Sequence, residues 1–462
     1  MALRDAKAKR LYRVVRARYD AASTTADNSR HWSMADYLSA DAEADAGVRR
    51  ILRARARYEC ANNSYARGVI RTLSNDCVGT GPRLQMLTDD EELNKAVEAD
   101  FLAWSRKIRL ARKLRTMRKA QCRDGEAFAM LVRNDNLGCD PDIRLDLQLV
   151  EADRVAGDID DIDGKSVDGV TFDSFGNPKS YRVLLGHPGD SHSDSKAVVV
   201  PAQFMIHIFT EERPGQHRGV PEILPALPLF AQLRRYTLAV LAASEAAADF
   251  SGILYTDAPP EGTAENVEAM DTIQLERNML LTMPGGWKMA QVDAKQPSST
   301  YAEFKREILN EIARSVDMPY NVAAGNSSGY NYASGRLDHQ TYHKAIHIDQ
   351  ADYELVVLDP LFEAWFREWR LVRRVRAEAT PHIWFWDGFE HVDPSKEANS
   401  QMIRLQDNMT SLAAEYARAG KDWEAELRQI SRERKLMDEL GITPVQLGQG
   451  AADNGGDDGS EA

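Results

Sequence analysis

One stretch, residues 300–376, constrains the fold most, because its apolar residues recur at helical spacing on both sides of a short break. The first helix is expected to end at Met318, since the residue before Pro319 is disfavoured in the α conformation. Its apolar stripe consists of Tyr301, Phe304, Ile308, Ile312 and Val316. The second helix is predicted to run from about Ala333 past Trp369, roughly 40 residues and about 60 Å at the standard rise. A helix of that length is more typical of a large assembly than of a globular domain.

The apolar residues of this second helix exceed what one subunit is expected to cover, which predicts that neighbouring copies cover them in a large ring. Pro360 lies within the same helix and predicts a kink, because proline cannot donate the backbone hydrogen bond. The apolar set comprises Tyr353, Val356, Val357, Leu361, Trp365 and Trp369.

The break between the two helices, residues 319–332, is rich in glycine and small polar residues and predicts a loop. Gly325 and Gly329 allow backbone movement, and the amide and hydroxyl side chains offer hydrogen bonds without charge. An ordinary surface loop has the same composition, so composition alone does not assign a role. The polar side chains are those of Asn321, Asn326, Ser327, Ser328 and Asn331.

The composition is that of a globular protein, with 43% hydrophobic residues and, at 462 residues, enough chain for two or more domains. No apolar run reaches about 18 residues without a charge, which argues against a transmembrane helix. The polar first residues lack the apolar core of a signal peptide. A net charge of −13 disfavours a sequence-specific DNA binder, although an acidic protein can surround DNA that it does not grip. The four cysteines have no C-x-x-C spacing and are expected to be reduced thiols.

Up to residue 220 the patterning changes from helical to strand-like. Residues 1–35 are expected to form a flexible basic arm. Helices are predicted over residues 36–75 and 89–130, and each carries a row of basic residues that suggests a basic surface. The first row is Arg49, Arg50, Arg53, Arg55 and Arg57, and the second is Arg106, Lys107, Arg109, Arg112, Lys113, Arg115, Arg118 and Lys119. The second row could face DNA or acidic neighbours, although such rows are more commonly a solvated helix surface. Short runs that predict strands follow at residues 127–132, 145–150, 180–185 and 205–209.

Beyond residue 220 a second long helix is predicted over residues 222–250, after Pro221. Its alanine-rich end would allow close helix packing, although helix propensity alone also accounts for the alanines. A small α/β insert follows over residues 251–298. Near the end, residues 382–386 predict a buried strand, residues 393–440 predict helices, and residues 448–462 are expected to be disordered.

Two clusters contain the residue types of a metal site. His339, His343 and His347 stand at helical spacing and could present imidazoles to one ion, but no glutamate completes an H-E-x-x-H motif. A structural or intersubunit role is therefore favoured for them. The second cluster is the acid-rich loop 158–163, which could hold Ca²⁺ but lacks the glutamate of an EF-hand. Neither cluster is therefore predicted to hold a metal. No Walker motif or dinucleotide fingerprint is present, so an ATP-driven motor subunit is disfavoured and no cofactor is predicted.

Several motifs, in order along the chain, resemble those of the lambda-type portal proteins of tailed bacteriophages. The central one is Met318-Pro319-Tyr320, a Gly-rich loop, and then Asn331-Tyr332-Ala333-Ser334-Gly335-Arg336. Each motif is weak alone, but their order and spacing together are fairly specific over about residues 10–440. The other motifs are Tyr19-Asp20-Ala21-Ala22, Val78-Gly79-Thr80-Gly81, Arg218-Gly219-Val220-Pro221, Val392-Asp393-Pro394-Ser395-Lys396-Glu397 and Gly420-Lys421-Asp422-Trp423-Glu424.

The resemblance implies an α+β, portal-type subunit. Its parts would be a mixed α/β wing, two stem helices that bracket a small α/β clip, a tunnel loop, one very long wing helix and a helical crown. These parts correspond here to the wing at 36–220, stem helices at 221–250 and 299–318, the clip at 251–298, the tunnel loop at 319–332, the long helix with a closing strand at 333–392, and the crown at 393–447.

The resemblance also implies a function. Such subunits form a ring, twelve in the assembled family, around a channel through which double-stranded DNA is packaged and ejected. The implied partners are the terminase large subunit, the major capsid protein and scaffold, and the head-tail connector protein, at the portal vertex of a virion assembled in the host cytoplasm, without a membrane. The clip residues expected to dock the motor are Asp257, Glu261, Glu265, Glu276 and Arg277, and the loop residues expected to face DNA are Asn321, Gly325, Asn326, Ser327, Ser328, Gly329 and Asn331.

No catalytic residue and no cofactor are expected in a protein of this kind. The alternative hypothesis is an enzyme. It would be a metal-dependent nuclease, with its metal at loop 158–163 or at the histidine row, or an unrelated hydrolase.

Overall fold

The structure, a computed structural model, describes residues 25–157, 166–191, 196–249, 253–256, 287–290, 300–329, 331–376, 381–389, 394–421 and 423–441. The helices are α1 (Ala40–Glu43), α2 (Ala46–Asn62), α3 (Ser64–Val78), α4 (Glu91–Lys107), α5 (Leu110–Asp124), α6 (Leu227–Asp249), α7 (Thr300–Arg314), α8 (Tyr320–Ala324), α9 (Tyr332–Tyr353), α10 (Asp359–Arg373), α11 (Pro394–Gln406), α12 (Leu412–Arg418) and α13 (Trp423–Leu440). The strands are β1 (Arg83–Met86), β2 (Glu126–Arg133), β3 (Leu145–Val150), β4 (Ser166–Val167), β5 (Val170–Phe172), β6 (Pro178–Leu184), β7 (Ala197–Pro201), β8 (Met205–Phe209), β9 (Ile253–Thr256), β10 (Trp287–Ala290) and β11 (His382–Phe385). The predicted α+β class is confirmed.

Local sequence signals account for the ends of the first helices. The side chains of Asp45, Asn63 and Asp90 each accept a hydrogen bond from a backbone N–H in the first turn of α2, α3 and α4, which satisfies donors that have no partner within the helix. Helix α5 ends at Gly125, whose φ of 93° lies in the left-handed region. The predicted helix over residues 89–130 therefore ran too far, because strand β2 begins directly after this glycine.

Two antiparallel sheets form the β part of the body. In the three-stranded sheet β2 lies between β3 and β8, and the four-stranded sheet has the order β4-β5-β6-β7. The two sheets share a small core, in which Phe128 of β2 contacts Tyr181 of β6 with ring centroids 6.0 Å apart. All four strands predicted between residues 126 and 209 are present, as β2, β3, β6 and β8.

Strand β1 was not predicted, because its four residues carry little local pattern. It pairs antiparallel with β11, a partner about 300 positions further along the chain, with Leu84 opposite Trp384. This pairing brings the strand that follows α10 beside the strand that follows α3. Strands β4, β5 and β7 were also missed, and each is five residues or shorter.

The largest aromatic cluster lies beneath the long helix. Trp365 of α10 is fully buried, and its ring centroid lies 5.1 Å from that of Phe101 and 6.0 Å from those of Trp104 and Trp369. Helix α4 and strand β11 supply most of the partners, so one chain covers these residues by itself. The expectation that neighbouring copies cover the apolar set of this helix was therefore wrong, since the covering elements are distant in sequence.

The long helix runs from Tyr332 to Arg373 and contains one irregularity. A π-helical turn, Glu354–Leu358, connects α9 to α10 directly before Pro360. Proline has no backbone N–H to donate, and a wider turn is a common way to accommodate such a break. The predicted irregularity at Pro360 thus takes the form of a π turn.

The segment between the two predicted helices differs from the prediction, because it contains a short helix. Helix α7 already ends at Arg314, and a five-residue helix, α8, follows Pro319. The carbonyl of Pro319 accepts hydrogen bonds from the N–H groups of Val322 and Ala323, at 3.1 and 3.0 Å. Proline fixes φ near the helical value and has no N–H to leave unpaired, so it starts a helix as readily as it stops one. The irregular loop therefore begins at Gly325, with a φ of 62°.

Candidate functional site

The Arg218-Gly219-Val220-Pro221 motif holds a buried ion pair. The side chains of Arg218 and Glu126 are both completely inaccessible to solvent. The guanidinium donates twice to the carboxylate, from Nε to Oε2 at 2.8 Å and from Nη2 to Oε1 at 2.6 Å. This two-point geometry is the strong form of the arginine–carboxylate interaction. It joins the loop before α6 to the first residue of β2.

Further hydrogen bonds complete this pair. Arg218 Nη1 donates to the carbonyl of Val155 at 3.1 Å, and the N–H of Gly219 donates to Glu126 Oε2 at 3.1 Å. His207 Nε2 lies 3.1 Å from the same oxygen. Burial raises the pKa of Glu126, but the charge of Arg218 and these hydrogen bonds outweigh it and hold the pKa well below its usual range. Burial lowers the pKa of His207, which favours its neutral form. The low pKa of Glu126 favours its charged form, so Glu126 supplies the negative charge opposite Arg218.

Gly219 is required by a close crossing of two backbone segments. A Cβ at this position would lie 2.0 Å from the carbonyl oxygen of Gly125 and 2.8 Å from Cβ of Phe209. Gly125 has the same constraint, since its Cβ would lie 2.5 Å from the carbonyl carbon of Val220. The two glycines therefore let the loop before α6 touch the end of α5.

The basic row of α2 surrounds this pair. Arg53 Nη1 lies 3.3 Å from Glu126 Oε1, Arg49 Nη2 lies 2.7 Å from Asp168 Oδ2, and Arg57 Nε lies 2.7 Å from Asp124 Oδ1. The prediction of a basic surface on this helix was therefore wrong for three arginines. Acidic partners at the end of α5, at the start of β2 and in the β4–β5 turn hold these side chains inward, because buried charges require partners, while Arg50 and Arg55 remain exposed.

A second buried arginine links three elements. Arg118 of α5 donates from Nη1 to Glu222 Oε2 at 2.8 Å and from Nη2 to Asp349 Oδ2 at 2.8 Å. Glu222 lies in the segment before α6, and Asp349 lies in α9. Arg118 was expected on a basic row, but it ties the segment before α6 to the long helix. Lys113 of the same row also has an internal partner, Asp146.

The Val78-Gly79-Thr80-Gly81 and Gly420-Lys421-Asp422-Trp423-Glu424 motifs meet at one place. The N–H and Oγ1 of Thr80 donate to the carboxylate of Asp387, at 2.5 and 2.8 Å. Gly79 has a φ of 53°, and its Cβ would lie 2.2 Å from Asp387 Oδ2. Gly420 approaches the same segment, with its Cβ position 2.6 Å from the carbonyl oxygen of Trp386. Two motifs far apart in sequence thus pack against residues 386–388.

The residues expected to face DNA fall into two groups. Asn321 belongs to α8 and is partly buried, and its Nδ2 donates to His339 Nε2 at 3.1 Å. It therefore connects α8 to α9, which does not suit a residue of a mobile loop. The other described residues predicted for this role are exposed: Gly325, Asn326, Ser327, Ser328, Gly329 and Asn331.

Asn326 organises the exposed part of the loop. Its Oδ1 accepts hydrogen bonds from the N–H of Ser328 at 2.9 Å and from Ser328 Oγ at 2.6 Å. Residues 325–329 contain no charged side chain. The loop is therefore a polar, uncharged projection between α8 and α9.

The histidine row contacts side chains that are not metal ligands. His343 stacks on Phe389 with ring centroids 3.8 Å apart, and His347 Nδ1 lies 3.1 Å from Gln350 Oε1. No cluster of three potential metal ligands occurs among the residues that the structure describes. These contacts favour the structural role predicted for the row. Loop 158–163, the other candidate, lies outside the described residues.

The insert between α6 and α7 is described only at its two ends. Strands β9 and β10 pair antiparallel, with Ile253 opposite Ala290 and Thr256 opposite Trp287. The chain therefore leaves and returns side by side. The candidate docking residues Asp257, Glu261, Glu265, Glu276 and Arg277 lie outside the described residues.

No described helix combines the length and the apolar character needed to span a membrane.

Sequence reasoning missed the acidic partners of these joints, Glu126, Asp349 and Asp387. They are isolated carboxylates in unremarkable local sequence, and no spacing rule connects them to Arg218, Arg118 or Thr80. The signal in the sequence came only from their partners: Arg218 and Thr80 lie in motifs, and Arg118 lies in a basic row. The motifs that contain Arg218, Thr80 and Gly420 thus lie at contacts between segments distant in sequence.

Comparison with known proteins assigns the family. The family model described as phage portal protein, lambda family, matches residues 27–350, well over half of the chain. The protein belongs to the lambda family of phage portal proteins and is a portal vertex subunit.

Individual relatives are distant. The "Probable portal protein" of Halomonas phage phiHAP-1 is 25% identical over 442 residues, which cover 87% of this chain and 83% of the relative. Among solved structures, a chain from the virion of a native gene transfer agent particle has a TM-score of 0.44 at 15% identity, covering 80% of this chain and 92% of that chain. An HK97 family phage portal protein from Corynebacterium diphtheriae has a TM-score of 0.29 at 12% identity, covering 62% and 85%.

Proposed function

We propose that copies of this chain form a closed ring, of twelve subunits as the family resemblance implies, around a channel for double-stranded DNA in the virion. Membership of the portal family carries the proposal. The structure adds helices that leave part of their surface uncovered within one chain. Leu238 and Leu241 of α6 and Phe304 of α7 are each at least half exposed. Exposed apolar residues on two helix faces of this kind suit contacts with neighbouring copies.

In this proposal residues 325–329 face the DNA. A channel must let phosphates slide past, and rows of lysine and arginine would instead bind them tightly and in a salt-dependent way. The loop is exposed and uncharged, on a chain whose net charge is −13. These properties suit a surface that meets DNA without gripping it. Asn331, just beyond the loop, is assigned the same role, whereas Asn321 supports the loop from α8.

The insert is the proposed docking site for the packaging motor. Its ends are held together by the β9–β10 ladder, so the insert begins and ends at one place. The residues proposed to contact the terminase large subunit are Asp257, Glu261, Glu265, Glu276 and Arg277. The same vertex would contact the major capsid protein and scaffold during assembly in the host cytoplasm, and the head-tail connector protein afterwards. The proposed role is structural and needs no catalytic group.

A charged loop tests the channel assignment. Changing Asn326→Lys and Ser327→Lys adds two positive charges per subunit, and around a ring these charges act together on the phosphates. We expect assemblies of normal size that package DNA slowly or retain it abnormally, most clearly at low salt, where screening is weakest. The measurement is the amount of DNA packaged and ejected as a function of ionic strength.

The matched control makes the same two chemical changes elsewhere. Asn136→Lys and Ser174→Lys place lysines on exposed hairpin turns of the two sheets. This control should package like the unmodified protein. Equal packaging and ejection by both double variants at every salt concentration would show that loop 325–329 does not meet DNA.

A further inference from the structure

Helices α6 and α7 pack side by side and run in opposite directions. The ring of Tyr236 lies 5.5 Å from that of Tyr301 and 5.0 Å from that of Phe304, and Tyr301 donates a hydrogen bond to Thr237 Oγ1 at 3.3 Å. Towards the body, Phe230 and Leu233 of α6 share a core with residues later in α7, Leu309 and Ile312. Higher numbers on one helix therefore lie beside lower numbers on the other.

Helix α6 leaves one face uncovered. Arg235, Leu238 and Ala242 are exposed and follow each other at helical spacing, with Leu241 beside them. Leu238 and Leu241 are 56% and 54% exposed. Within the described part of the chain, no ion pair involves Arg235. This face is slim and apolar and carries one unpaired positive charge.

Helix α7 leaves a different kind of face uncovered. Glu303, Glu307 and Glu311 are exposed at intervals of four residues, and Phe304 beside them is 50% exposed. A shallow groove runs along this face between Phe304, Glu307, Ile308, Asn310, Glu311 and Arg314. This open face of α7 therefore combines acidic side chains with an apolar groove.

The cations of α7 are directed elsewhere. Lys305 lies over the ring of Tyr65 at 5.2 Å, Arg306 lies over the ring of Tyr320 at 5.5 Å, and Arg314 pairs with Asp317 at 2.8 Å. Across the ranges that the structure describes, no cation of the same chain forms an ion pair with Glu303 or Glu307. The two glutamates are therefore available to a cation from outside the subunit.

We propose that the open face of α6 in one copy docks on the open face of α7 in the next copy. Leu238 then packs against Phe304, and Arg235 lies beside Glu303 and Glu307. The proposal rests on the ring proposed above and names the surface that closes it. A contact between two different faces of identical subunits is heterologous, and rotation turns it into a closed ring.

The spacing of the charges and the size of the side chains support this pairing. Glu303 and Glu307 lie one helical turn apart on α7, so one long side chain such as that of Arg235 can reach both carboxylates. The small side chains of Ala239 and Ala242 allow the close approach that this contact requires.

Charge reversal tests the contact. Arg235→Glu places a negative charge beside the two glutamates of the neighbouring copy. We expect the ring-sized species to be lost in favour of a species near the 51.7 kDa of one chain. The measurement is light scattering coupled to size-exclusion chromatography at micromolar concentration. Combining Arg235→Glu with Glu303→Arg and Glu307→Arg restores opposite charges and should restore the ring. The matched control is Arg50→Glu on α2, an exposed arginine away from this face, which should leave the ring intact.

The outcomes separate this contact from the ring itself. Rings that persist in Arg235→Glu and also in Leu238→Asp would overturn the α6–α7 contact while leaving the proposed ring in place. Loss of the ring without restoration by the two glutamate changes would also overturn it, because another partner would then cover Arg235. If the unmodified chain is a monomer under the same conditions, the ring proposal fails. Unchanged circular dichroism in each variant shows that the subunit remains folded.

Discussion

Replacing Arg218 with methionine is expected to lower the free energy of unfolding by about 3–5 kcal/mol, the usual cost of removing one partner of a buried ion pair. Methionine fills a similar volume but leaves the carboxylate of Glu126 buried without its two strongest donors. The carboxyl group must then remain charged without a cation or take up a proton. Urea denaturation followed by tryptophan fluorescence measures the loss.

The matched control is Arg213→Met, in the same connection between β8 and α6. Arg213 also pairs with a glutamate, Glu43, but both side chains are about half exposed or more. Exposed pairs contribute about 0–1 kcal/mol, because water screens the charges. If Arg218→Met proves as mild as Arg213→Met, the buried pair does not hold the body together.

The direction of the pH effect follows from the low pKa of Glu126. In the unfolded chain a glutamate titrates near about 4.3, whereas in the fold Arg218 and the surrounding hydrogen bonds keep its pKa well below that value despite burial. The pair therefore contributes its full stability above the unfolded pKa and loses it as the pH falls towards the folded pKa. The Arg218→Met variant should lack this contribution to acid sensitivity.

Trp365→Ala is expected to cost about 3–5 kcal/mol, as large aromatic deletions in well-packed cores do. Trp365 is fully buried among Phe101, Trp104 and Trp369, so the cavity cannot fill without moving α4 or β11. The same denaturation assay measures the effect. Leu371→Ala is the control on the same helix: this leucine is 74% exposed and should change stability by no more than about 0.5 kcal/mol. Similar losses for the two variants would contradict the assignment of the long helix to the core of one subunit.

The sequence predicts elements well where the signal is local. The apolar repeat from Tyr301 to Val316 and the short runs at 127–132 and 205–209 correspond to α7, β2 and β8. It predicts poorly where a distant partner decides the outcome. Strand β1 exists only because β11 pairs with it, and the Trp365 face lies inside one chain because α4 covers it.

The same limit applies to the candidate site. The glycines at 79, 219 and 420 lie in motifs visible in the sequence, but the contacts that require glycine there involve Asp387, Gly125 and Trp386. The inward arginines of α2 look like a basic surface until their acidic partners are placed. Pro319 illustrates a local signal with two meanings, since it was expected to end a helix but instead starts α8, while α7 ends earlier, at Arg314. Sequence patterns suggested a role for these positions, and the fold supplies the reason.

Electron microscopy of the purified full chain shows directly whether it forms rings. We expect ring-shaped particles with a central hole wide enough for double-stranded DNA, at micromolar concentration and moderate salt. Uniform small particles with the 51.7 kDa mass of one chain, without a hole, would contradict it. Cleavage of DNA by such a monomer in the presence of Mg²⁺ would instead favour the nuclease reading.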